Sequence, residues 1–144
     1  MTDSKMRDLL GLYRSIEALE CKSAELYASL LNTQKGTLPG KFSVEGRKLL
    51  VDVFGHRLEA APRVIRAPYG EFSVEFVFRA PALQLNEVWR FYLNLDGSLT
   101  LNEDRHGSPT PVSHLGNEYT WKHLLERLFD AVLRSALFSP TPPP

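Results

Sequence analysis

The stretch WRFYLNLDGSLTL at residues 89–101 constrains the chain more than any other. Trp89, Phe91 and Leu93 alternate with Arg90, Tyr92 and Asn94, as on a strand with one apolar face. Asp96-Gly97 is a turn signal, and Leu99 and Leu101 alternate again on the return arm. Two registers are possible. A two-residue Asp96-Gly97 turn pairs Leu95 with Ser98 and sets Leu99 and Leu101 beside Asn94 and Tyr92. A three-residue loop, Leu95 to Gly97, pairs Leu93 with Leu99 and Phe91 with Leu101. A slip of one residue exchanges every side chain between faces. The second register is the expected one. It joins apolar to apolar and gives Gly97 the left-handed conformation that only glycine adopts without strain. The hairpin therefore predicts one strongly apolar sheet face that helices must cover.

The full chain of 144 residues suffices for one domain with a core of its own, here taken as 1–138 followed by a Pro-rich tail, 139–144. Lysine plus arginine equal aspartate plus glutamate at 17 each, so the basic excess that drives non-specific nucleic-acid or membrane-surface binding is missing. The single cysteine, Cys21, has no intramolecular disulfide partner and lies among Glu17, Glu20 and Glu25, a setting that leaves a thiol unreactive. The first residues, MTDSKMRD, lack the apolar run of a signal peptide, and no stretch approaches the ~20 apolar residues of a membrane span. The expectation is a cytoplasmic protein without a membrane partner.

Residues 3–33 read as one long helix. Leu9, Leu12, Ile16, Leu19, Leu26 and Leu30 recur at spacings of three and four once Ser23 fills the one polar gap, with Leu10, Tyr13, Ala24, Tyr27 and Leu31 widening the stripe. A stripe this wide favours a helix lying on its own domain over a two-stranded coiled coil. Its length, roughly 45 Å, nonetheless outruns a domain whose radius of gyration is about 15 Å. Leu9, Leu12, Ile16 and Leu19 are accordingly expected to meet a protein partner or a second copy, with the Leu26–Leu31 end docked. The rival arrangement breaks the helix at Gly11 and buries the whole stripe.

Residues 43–61 admit two readings. As a helix they gather Glu45, Lys48, Asp52, His56 and Glu59 on one polar edge, with Ser43 as cap and Pro62 as stop. As a central strand they show Leu49, Val51 and Val53 in alternation. The clean polar edge makes the helix the expectation, against Gly55 and three valines. Residues 63–67 read as a short edge strand. In 72–79, Phe72, Val74, Phe76 and Phe78 take one face and Ser73, Glu75, Val77 and Arg79 the other. A loop spans 102–116, and a final helix capped by Asn117 runs to about residue 138, with Trp121, Leu125, Leu128, Phe129, Val132 and Ala136 inward.

Chemical motifs are sparse. His106 and His114 bracket the long loop, but no HxH or HExxH spacing is present, so no metal is expected. There is no Gly-rich phosphate loop and no nucleophile elbow, so neither a cofactor nor catalysis is expected. Arg79, Arg90 and Tyr92 share the polar sheet face with Ser73, Thr100 and Asn102. One tyrosine falls far short of a base-stacking platform, and Glu75 is expected to pair with Arg79 or Arg90.

The sequence thus predicts an α+β fold, an antiparallel three- to four-stranded meander with its apolar face covered by N-terminal, middle and C-terminal helices. The function expected is a small, non-catalytic protein-binding module: a regulator, an inhibitor or a chaperone-like protein. Two alternatives stand beside it. One is a ligand-binding or enzymatic domain with a pocket between sheet and helices, lined by Phe76, Trp89 and Phe91. The other is a nucleic-acid-binding regulator using the polar sheet face.

Overall fold

The computed structural model describes residues 3–34, 40–66, 71–81, 85–101, 111–114 and 117–135. In chain order the elements are α1 (Asp3–Thr33), β1 (Gly40–Glu45), β2 (Lys48–Val53), β3 (His56–Ala60), β4 (Pro62–Arg66), β5 (Phe72–Ala80), β6 (Leu85–Asn94), β7 (Ser98–Leu101), β8 (Pro111–His114) and α2 (Thr120–Arg134). The fold is α+β, with two helices among the described residues and a curled antiparallel sheet forming a half-barrel. Among the described residues the sheet has eight strands rather than three or four, ordered β1-β2-β3-β5-β6-β7-β8, with β4 also paired to β5.

The largest correction concerns residues 43–61, which form no helix. They make a β1–β2–β3 meander, with Phe42 opposite Val51, Val51 opposite Leu58 and Val53 opposite His56. Of the residues that had looked like one helical edge, Glu45, Lys48, Asp52 and Glu59 lie on the outward face of adjacent strands, whereas His56 stands opposite Val53 on the face of Leu58 and Ala60. Asp52 bonds Arg57 at 3.3 Å and Lys48 bonds Glu59 at 3.2 Å. The β2–β3 turn is two residues long, and both Phe54 (φ 50) and Gly55 (φ 80) have positive φ, the pattern of a type I′ turn. Glycine accepts this; a bulky phenylalanine does so under strain. The Phe54 ring lies 5.3 Å from that of Phe129 on α2, a contact that holds the turn against the helix.

The second sheet half follows its expected pattern. Phe72, Val74, Phe76 and Phe78 point inward, and the short strand expected at 63–67 is found as β4 at Pro62–Arg66, with residue 67 outside the described residues. The β6–β7 hairpin takes the three-residue register, with Leu93 opposite Leu99, Phe91 opposite Leu101 and Gly97 at φ 86. Gly97→Val should therefore cost more than about 1 kcal/mol, because a β-branched side chain is forced to positive φ. Urea titration checks this, and an unchanged midpoint would mean that the turn relaxes.

The 102–116 segment is not loop throughout: residues 111–114 form β8, which pairs with β7. His106 and the rest of that segment lie outside the described residues, as do Ala136 and the tail at 139–144. Helix α2 begins at Thr120 rather than beside Asn117, whose side chain instead accepts a hydrogen bond from the Tyr119 amide (2.8 Å) in the preceding turn.

Both helices cover the apolar face. Leu19, Leu26 and Leu30 of α1 and Leu124, Leu125, Leu128 and Val132 of α2 join Phe42, Val51, Leu58, Phe76, Phe78, Phe91 and Leu93 in one fully buried cluster. Phe76 and Phe91 stack at 4.6 Å between ring centres, and Tyr27 meets the edge of Phe76. This is the layer the hairpin demanded.

Candidate functional site

Helix α1 runs unbroken through Gly11 for 31 residues, about 46 Å at 1.5 Å per residue. Its burial begins late. Leu19 is 0% exposed and belongs to the core, so it is not part of a free surface as the stripe had suggested. Ile16 and Leu12 are half-buried. Leu9 (49%), Leu10 (49%), Met6 (48%) and Tyr13 (61%) are open to solvent. Leu31, expected on the docked end, is exposed as well, since it lies round the helix from Leu30.

The docked end of α1 roofs a cleft of about 540 Å³, bordered by Glu20, Ser23, Ala24 and Tyr27 from the helix and by Gly46, Arg47, Pro62, Arg63, Val64 and Val74 from the sheet. It is not lined by Phe76 and Phe91, which are packed face to face and fully buried. The cleft arises where the sheet forks. Strand β2 stays paired with β3 only as far as Leu49 opposite Ala60, whereas the chain beyond Ala61 follows β5, with Pro62 opposite Phe76. Tyr27 holds the far wall: its hydroxyl donates to the Arg47 carbonyl at 2.7 Å. Burial of the Tyr27 phenol raises its pKa, keeping it protonated and able to donate. The sequence carried a faint signal for this site, since Gly46 and Pro62 both interrupt strand-like runs.

The outward face of β4–β7 divides into two zones. At one end, Arg90 is held by Glu87 through a short contact at Nε and a second at 2.6 Å, and by Glu75 at 3.2 Å; Glu75 also faces Arg63 at 3.6 Å. The Glu87 hydrogen bonds raise the pKa of Arg90 above its ordinary value, desolvation opposes them, and Tyr92 adds to the rise. Strict alternation from Trp89 would place Glu87 on the aromatic side. The register between β5 and β6 shifts after Phe78–Trp89, however, and that bulge turns Glu87 toward Arg90. Arg79 is exposed and stands across from Glu59 on β3, apart from Tyr92.

At the other end the face is polar but buried. Ser73 Oγ donates to Asn94 Oδ1 (2.8 Å), and Asn94 Nδ2 donates to Thr100 Oγ1 (2.7 Å) and Ser98 Oγ (3.0 Å). Ser98 in turn donates to Asp96 from its hydroxyl (2.6 Å) and its amide (2.9 Å), fixing the hairpin loop.

Among the described residues no three of His, Cys, Asp and Glu converge as metal ligands, and no helix is long and apolar enough to cross a membrane. Comparison with known protein families, with curated proteins and with solved structures found no match.

Proposed function

We propose that the chain is a non-catalytic protein-binding module that self-associates through the first half of α1. The observation carrying this reading is the overhang: Met6, Leu9, Leu10 and Tyr13 are exposed on a helix whose other half is anchored in the core. Apolar side chains grouped at helical spacing are normally covered by another chain. The choice of a second copy rests on charge. Between residues 3 and 18, Lys5, Arg7 and Arg14 balance Asp3, Asp8 and Glu17, so no field of one sign selects an oppositely charged partner.

The nucleic-acid reading loses force where Arg63 and Arg90 already share Glu75 and Glu87. The alternative of a pocket between sheet and helices draws support from the cleft under α1, although at residues other than those first expected.

Sedimentation of Leu9→Glu/Tyr13→Lys tests the proposal. The pair sits at i, i+4 and so maintains the helix. Wild type is expected to sediment as a dimer at micromolar concentration and the variant as a monomer with unchanged circular dichroism. A monomeric wild type, or an undiminished dimer in the variant, would refute it.

A further inference from the structure

Among the described residues, the fork beneath α1 borders an open strand edge. Gly97 N donates to Asn94 O at 2.9 Å, so the Asn94 backbone groups turn toward β7 and, by alternation, those of Leu93 turn toward β5. Leu93 stands opposite Val74, which sends the Val74 groups to β6 and those of Ser73 and Glu75 to β4. Their partners there are Ile65 and Arg63. Pro62, Val64 and Arg66 are therefore the β4 residues whose backbone groups face away from β5. Among the described residues, β5 is the only strand paired with β4. Proline in this position has its missing N–H on the open side, as edge prolines do. Pro62 and the two arginines discourage indiscriminate pairing along the edge. Val64 keeps both its N–H and its C=O, and it lines the cleft.

We infer that this edge is a binding site for an extended peptide segment of a partner protein, added as a strand beside β4 with alternating small aliphatic and acidic residues. The alternation follows from the geometry. A peptide residue exchanging hydrogen bonds with Val64 sends its side chain to the same side as Val64, into the cleft against Val74 and Ala24. Its neighbours project to the outward face, where the Arg63 guanidinium is largely exposed and only loosely held by Glu75 at 3.6 Å. A carboxylate there gains a charged partner, and the main-chain bonds supply sequence-independent affinity. The site is separate from the α1 overhang and does not depend on self-association.

The probe is a capped heptapeptide of alternating glutamate and valine, titrated into the full chain and followed by amide NMR. Saturable shifts centred on Val64, Val74 and Gly46, with a dissociation constant below about 1 mM, support the inference; no saturation or shifts elsewhere overturn it. The same peptide N-methylated at its valines should bind about tenfold more weakly or worse, for want of main-chain donors. Equal binding by that peptide, or by N-acetylvaline amide alone, would make the cleft a small-molecule pocket and overturn the strand-addition site. Ala24→Phe, which fills the cleft from an exposed helical position, should abolish binding; retained binding counts against the site. Should that variant misfold, Arg63→Glu on the exposed face must still weaken binding several-fold at low salt, and unchanged affinity there is equally decisive. Failure of the self-association test leaves these outcomes unaffected.

Discussion

Phe76→Ala is expected to destabilise the protein by about 4 kcal/mol, the cost of deleting a buried aromatic side chain and leaving a cavity behind. Phe76 is fully buried where α1, β4, β5 and β6 meet: it stacks on Phe91 with an 8° angle between rings, takes the edge of Tyr27 and stands opposite Pro62. The substitution also removes both ring contacts, the stack on Phe91 and the edge contact with Tyr27. Equilibrium urea denaturation with an unchanged slope would register the loss as a lower midpoint. Leu133→Ala on the exposed side of α2 is the control, with a change within about 0.5 kcal/mol. Equal effects for the two would mean that the aromatic layer is not the core.

Asn94→Leu is expected to cost about 3 kcal/mol, because it orphans buried hydroxyls rather than merely removing a bond. Ser73 and Thr100 both rely on the Asn94 carboxamide and are both shut off from water. Ser98 suffers less, since its hydroxyl also reaches Asp96. The combination Ser73→Ala/Asn94→Leu/Thr100→Val should recover most of the loss, since replacing all partners with apolar groups leaves nothing unsatisfied. Measured stabilities that simply add, with the triple variant worst, would show that the three residues act independently.

These two residues also show what a sequence can and cannot convey. Phe76 was legible: its alternation with Phe72, Val74 and Phe78 has one structural meaning whatever surrounds it. Asn94 reads only as a member of the polar sheet face, because a polar side chain looks the same in sequence whether water or another hydroxyl satisfies it. Glu87 is hidden for a related reason, since strict alternation would put it on the aromatic side. A bulge shifts the register between Phe78 and Ala80, and no single residue marks where it falls.

Local chemistry alone determined the β6–β7 hairpin, since its register follows from matching apolar residues across a turn that needs Gly97 at positive φ. It also determined that helices must cover the aromatic face. Tertiary structure decided residues 43–61, whose apolar positions suit both a helical and a strand period. As strands they align Val51 with Leu58, bring Asp52 beside Arg57 and let Phe129 pack on Phe54 and against Gly40, where a Cβ would lie 2.7 Å from the ring. A lone helix offers none of these contacts. Tertiary structure likewise divided one continuous leucine stripe into core at Leu19 and open surface at Leu9. Period sets which face of a helix is apolar; only the extent of the domain beneath it sets how much of that face is covered.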